Sequence, residues 1–219
     1  MNSTLLECQR YLYIVLVLLF PIISYSQTPS EIKIGTQVWT SKNLDVSTFR
    51  NGDSIPEVKS KEEWVTARSN KQPAWSYYDN DEKNGKKYGK LYNWYAVNDS
   101  RGLAPKGYHI PSDAEWTLLT DFLGGDGIAG DKMKSKTGWK KYGKKSGNGT
   151  NSSGFNALPG GYRYNYGQFL VIGKLGSWSS SAEVDANDAG SRYLGYDVGY
   201  LGRGYSGEEE GLSVRCIKD

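Results

Sequence analysis

The single histidine of this 219-residue chain, His109, sits in the run Gly107-Tyr108-His109-Ile110-Pro111-Ser112-Asp113-Ala114-Glu115-Trp116. An imidazole can act as general base, proton donor or metal ligand near neutral pH. A serine triad would have to recruit this one ring, and no Gly-x-Ser-x-Gly elbow is present. Clustered histidine and cysteine for zinc are excluded by count. Beside a helix start, a lone histidine more often serves as a satisfied structural donor, and its neighbours favour that role. Ser112 can accept a hydrogen bond as N-cap while Glu115 reaches back to the cap's own amide, which makes a capping box.

Other residue sets suggest other chemistries. Asp79, Asp81 and Asn84 place hard oxygens ahead of Gly85, as a calcium loop would. The spacing departs from an EF-hand, because Lys83 stands at the fifth position and Lys90 where a bidentate glutamate belongs. A plain Asx-stabilised turn is the competing expectation. Gly202-Arg203-Gly204-Tyr205-Ser206-Gly207 spells G-x-G-x-x-G, but Glu208-Glu209-Glu210 follow in place of a helix start and would repel phosphate. Paired carboxylates for glycoside hydrolysis are open to any of the 24 acids.

The helix that Ser112 caps should start near Asp113 and bury Trp116, Leu119, Phe122 and Leu123, stopping at Gly124-Gly125. A second capping box at Ser60 and Glu63 predicts a short helix burying Trp64 and Ala67 and ending near Asn70. Glu31 to Ile34 and Gln37 to Trp39 flank Gly35-Thr36 as a hairpin. A polar turn runs through Gly85, and aromatic alternation over 88–95 reads as a strand or a tight buried segment. The lysine-rich stretch 127–149 reads as solvated, mobile surface. Strands are expected at 162–166, 169–172, 177–181, 192–196 and 212–217, separated by Gly-rich turns. Two helices among antiparallel strands make the fold class α+β, with long loops.

Residues 1–26 read as a signal peptide: Arg10, an apolar run of about thirteen residues, then Ser24-Tyr25-Ser26 before cleavage at Gln27. The run is short of the roughly eighteen residues a membrane span needs, so no retained span is expected. Cys8 precedes the apolar run and cannot be a lipid-modified cysteine, so the expected destination is secreted, extracellular or cell surface without a lipid. The remaining 27–219 are sufficient for one domain. The formal charge of +3 implies no nucleic-acid partner. Cys216 is then the only thiol, and its place in the alternation of Leu212, Val214 and Cys216 marks it as a buried small hydrophobe.

Five runs together resemble one family. They are Ile34-Gly35-Thr36-Gln37-Val38-Trp39 with Asn43-Leu44, Tyr88-Gly89-Lys90-Leu91-Tyr92-Asn93-Trp94, Pro105 through Trp116, Gly154-Phe155-Asn156-Ala157-Leu158-Pro159-Gly160-Gly161-Tyr162-Arg163, and Ser213-Val214-Arg215-Cys216-Ile217-Lys218-Asp219. In this order they resemble the signature blocks of the Fibrobacter succinogenes major paralogous (FISUMP) domain family. The resemblance implies export and a C-type-lectin-like fold, shared with formylglycine-generating enzymes, whose first and last strands pair. Members commonly carry a cysteine where Ala104 stands here; if it normally bridges to the C-terminal block, this chain has lost that bridge. Formylglycine chemistry needs two cysteines, and the lectin calcium motifs are missing, since Asn187-Asp188 follows Ala186 and not tryptophan. The resulting expectation is a non-catalytic domain binding a glycan or cell-surface protein through its loops, with no cofactor unless calcium. A carbohydrate-active hydrolase with paired carboxylates and a structural or adhesive subunit of a surface assembly are the alternatives.

Overall fold

The computed structural model describes residues 29–185 and 188–219; residues 1–28, which include the expected signal peptide, and the Ala186-Asn187 dipeptide lie outside the described residues. The opening hairpin forms as β1 (Glu31–Ile34) and β2 (Gln37–Thr40), in register from Glu31↔Thr40 to Ile34↔Gln37. Gly35 turns the chain at φ +61°, and a Cβ there would stand 2.9 Å from the Phe122 ring, so both turn and contact require glycine. The Ser60–Glu63 capping box starts α1 (Lys61–Ser69), which buries Trp64 and Ala67. Then come β3 (Trp75–Ser76), α2 (Glu82–Tyr88), β4 (Leu91–Tyr92), the single-turn α3 (Trp94–Val97) and β5 (Tyr108–His109). The Ser112–Glu115 capping box starts α4 (Asp113–Phe122), and α5 (Asp126–Met133) follows the Gly124-Gly125 stop. Six strands complete the chain: β6 (Tyr162–Arg163), β7 (Phe169–Leu170), β8 (Leu175–Glu183), β9 (Asp188–Gly195), β10 (Gly202–Gly207) and β11 (Ile217–Lys218).

The chain is α+β, with helices set among antiparallel sheets. One sheet runs β1-β2-β11-β5 and the other β10-β9-β8, with β3-β4 and β6-β7 as short ribbons. Ile217 of β11 lies between Trp39 of β2 and His109 of β5, which ties the C-terminus to the opening hairpin. The partner of the last strand is thus the second strand of the chain and not the first. Trp39, Trp116, Phe155 and Trp178 form an aromatic core at centroid distances of 4.8 to 5.9 Å, joining β2, α4 and β8. A second core gathers Trp75, Tyr92, Trp94, Val214 and Cys216.

Several expectations are corrected. Five helices among the described residues replace two, because α2, α3 and α5 carry no apolar stripe that periodicity could detect. α2 occupies the expected polar turn and buries only Gly85 and Tyr88; α5 buries Ala129, Gly130 and Met133. At Gly130 a Cβ would stand 2.5 Å from the Gly199 carbonyl, so close backbone approach selects this helix. The 88–95 segment is the tight buried segment of the two alternatives, with Tyr88, Leu91, Tyr92 and Trp94 all buried, and is divided among the end of α2, β4 and α3. The lysine-rich stretch is not uniformly solvated: Lys134 is buried, donates to the Val198 carbonyl at 2.7 Å and lies 3.2 Å from Asp131. Phe122 is 63% exposed and covers Gly35, whereas Trp116, Leu119 and Leu123 are buried as expected. The G-x-G-x-x-G run is a strand, β10, whose glycines leave room for the Tyr193 ring on β9.

Candidate functional site

A concavity of about 540 Å³ opens beside the start of α4, between the loop around Arg50 and the loop before β5. Its apolar walls include Val97, Leu103 and Ile110, and Arg50, His109, Ser112, Glu115 and Ser181 bring polar groups to it. Apolar walls with a few convergent polar groups are the usual makeup of a ligand site. The elements that place these groups are short. Buried Phe49 anchors a loop closed by the Phe49 amide to the Asp53 carbonyl at 2.8 Å and the Ile55 amide to the Ser47 carbonyl at 2.9 Å. Arg50, next in the chain, is exposed and lies across the second loop, donating from Nε to the Ala104 carbonyl and from Nη2 to the Tyr108 carbonyl, both at 3.1 Å.

His109 joins three parts of the chain. Its Nε2 lies 2.8 Å from Glu115 Oε1 and its Nδ1 2.8 Å from Asp219 Oδ1. Desolvation disfavours the charged ring, but the bonds to Asp219 and Glu115 outweigh it and raise the imidazole pKa above its ordinary value. Burial likewise works against the Glu115 carboxylate, yet the Ser112 amide, the imidazole and the Ser112 hydroxyl together lower its pKa. Ser112 donates its hydroxyl to Glu115 Oε2 at 2.8 Å. In a triad the serine proton would go to the imidazole. Here the order is serine, glutamate, histidine, and both ring nitrogens face carboxylates. The capping residues are legible in sequence; Arg50 and Ser181 carry no local signal and reach the cleft only through the fold.

A second cluster lies where β10 ends. Glu209 pairs with Arg68 at 3.0 Å, and the Arg68 guanidinium stands over exposed Tyr166 at 5.3 Å. Burial, with the charge of Glu209 beside it, pushes the Glu210 carboxyl up to about 7. Burial also raises Glu208, and raises its hydrogen-bond partner Tyr95 to about 12. Sequence position marked these glutamates only as an obstacle to phosphate; their desolvation by distant segments was not readable.

Of the calcium candidates, Asp81 caps α2 by accepting from the Lys83 amide at 2.8 Å, and Asn84 donates its amide to the Tyr78 carbonyl at 3.0 Å. Asp79 takes a left-handed backbone, φ 54°, in the 3₁₀ turn before the helix. Among the described residues no group of three His, Cys, Asp or Glu is placed to hold a metal ion. No helix among them is long and apolar enough to cross a membrane. Trp116 is fully buried in the aromatic core with its indole nitrogen unpaired. Cys216 is a buried free thiol whose pKa burial raises to about 12.

The sequence profile of the Fibrobacter succinogenes major domain matches residues 32–218. The chain belongs to this family. No curated protein and no solved structure matches it. In this Fibrobacter succinogenes major domain, residues of the signature blocks form buried polar clamps. Asn43 accepts from Arg215 Nε at 2.7 Å and from the Trp178 indole at 3.0 Å, and donates to the Tyr88 carbonyl at 2.7 Å. Arg215, with no carboxylate partner among the described residues, also donates to the Thr40 carbonyl at 2.6 Å and stands over Phe155. Arg163 lies between Trp64 and Phe169 and donates to the carbonyls of Val58, Lys59 and Ser60. Lys90 binds Asp45 at 2.7 Å beneath Trp75 and Tyr77. Burial lowers Arg163 to about 10 and Arg215 to about 9. Ala104 and Cys216 fall in the same buried cluster, so Ala104 is an apolar core position.

Proposed function

We propose that this Fibrobacter succinogenes major domain is an exported, non-catalytic binding domain that holds a glycan in the cleft between Arg50 and the start of α4. The observation that supports this reading is the hydrogen bonding of His109 and Ser112. Both imidazole nitrogens are engaged with carboxylates, and the serine hydroxyl is directed to Glu115. Groups locked in this way present a shaped polar wall and do not form a proton relay. The apolar surface of Val97, Leu103 and Ile110 would accept the C–H face of a sugar. Export rests on the apolar N-terminal run, and the C-type-lectin-like assignment on the shared sheet of β2, β11 and β5. Incubation with a panel of plant and host polysaccharides tests the reading. Retention without new reducing ends supports it, and release of products sinks it.

A second reading, carbohydrate hydrolysis, is favoured by Glu210. Burial pushes its carboxyl up to about 7, toward the protonated form that a general acid requires, while Arg68 pairs with neighbouring Glu209 at 3.0 Å beside the exposed Tyr166 ring. Product release abolished by Glu210→Gln, with binding retained, would establish this reading in place of the first.

A further inference from the structure

We infer that the cleft ligand carries a carboxylate, and that Arg50 is the residue that recognises it: the ligand class is an acidic, uronate-bearing saccharide. This inference rests on the glycan reading of the same cleft. Of the guanidiniums among the described residues, Arg68, Arg101, Arg192 and Arg203 are paired with carboxylates. Arg163 and Arg215 are buried on backbone carbonyls and cannot meet a ligand. Arg50 differs from both sets, being exposed, in the wall of a cleft and without a carboxylate in salt-bridge range.

Its geometry is preorganised. The Nε and Nη2 bonds to the Ala104 and Tyr108 carbonyls fix the plane of the guanidinium and leave Nη1 without a partner among the described residues. A planar group held on one edge can offer the other to a carboxylate in a two-point contact, with little side-chain entropy left to lose. The other charges at the cleft do not cancel this attraction. Both oxygens of Glu115 are already engaged, Oε1 by His109 and Oε2 by Ser112, and Asp219, held on the other ring nitrogen, is not among the residues that line the cleft. Ser181 supplies a hydroxyl at the same concavity for the sugar's own hydroxyl groups.

Calorimetric titration of the purified protein with polygalacturonate, with its fully methyl-esterified form and with a neutral cello-oligosaccharide isolates the charge on an unchanged protein. Polygalacturonate is expected to bind at least about tenfold more tightly than the esterified polymer, with affinity falling as salt is added. Arg50→Gln should abolish that preference and Arg50→Lys restore part of it, with folding of each variant checked by its melting curve. Equal binding of acidic and esterified polymers overturns the assignment to Arg50 and leaves the glycan reading standing. Failure of all three saccharides overturns both. Binding of poly-glutamate in place of the polysaccharide overturns the saccharide class.

Discussion

His109 and Glu115 meet at 2.8 Å, Nε2 to Oε1, so the imidazole at the end of β5 grips the residue that closes the α4 capping box. One carboxylate thereby serves the Ser112 amide, the Ser112 hydroxyl and the imidazole at once. Asp219, on the ring's other nitrogen, adds the C-terminus to the same joint.

This joint gives stability a defined pH dependence. The folded-state pKa of His109 is raised, so its contribution is complete below the ordinary value of 6.5 and is lost as pH rises through the folded value. That of Glu115 is lowered, so its contribution holds above 4.5 and is lost as pH falls through the depressed value. Because the ring is 40% exposed, the effect is limited to about 1 kcal/mol, or about 2–4 °C in Tm. Melting from pH 5 to 9 should show the decline for the native chain and a flatter profile for His109→Gln. Parallel profiles would count against the clamp.

Glu210 should act in the same direction from a separate place. Its carboxyl is raised to about 7, so the stability it supports is lost as pH climbs from 4.5 through that value. Glu210→Gln is expected to melt like the native chain at pH 5 and to be more stable by about 1 kcal/mol at pH 8, allowing for partial solvent screening. A variant less stable at pH 8 would show that the ionised group is satisfied after all.

Removing a buried clamp should be far costlier. Arg215→Met leaves the Thr40 carbonyl and the Asn43 side chain short of a donor and is expected to lower unfolding stability by about 2–4 kcal/mol in urea titration. Arg215→Lys should recover little, since an ammonium cannot span both acceptors and stack on Phe155. A loss below about 1 kcal/mol would mean that the site closes around the gap.

Asp81→Ala separates capping from calcium binding. Loss of the N-cap bond to Lys83 should cost about 1 kcal/mol equally in calcium and in chelator. A melting shift of several degrees on adding calcium to the native chain, absent in Asp81→Ala, would establish an ion at this turn.

Local chemistry determined the features that depend on residues a few positions apart. Ser60 with Glu63, Ser112 with Glu115 and the Gly35-Thr36 turn each place donor and acceptor within one turn of chain, so both capping boxes and the first hairpin were readable. The five signature blocks were readable for the same reason, as patterns needing no partner. Only the tertiary structure decided what Arg50, Glu210, Lys134 and Phe122 do. Their environments are built by segments tens of residues away: the loop before β5 over Arg50, the β9–β10 connection against Lys134, the β1–β2 turn under Phe122. Desolvation and long-range pairing depend on which segments meet, and the close approach of Gly130 in α5 to the Gly199 carbonyl is of the same kind.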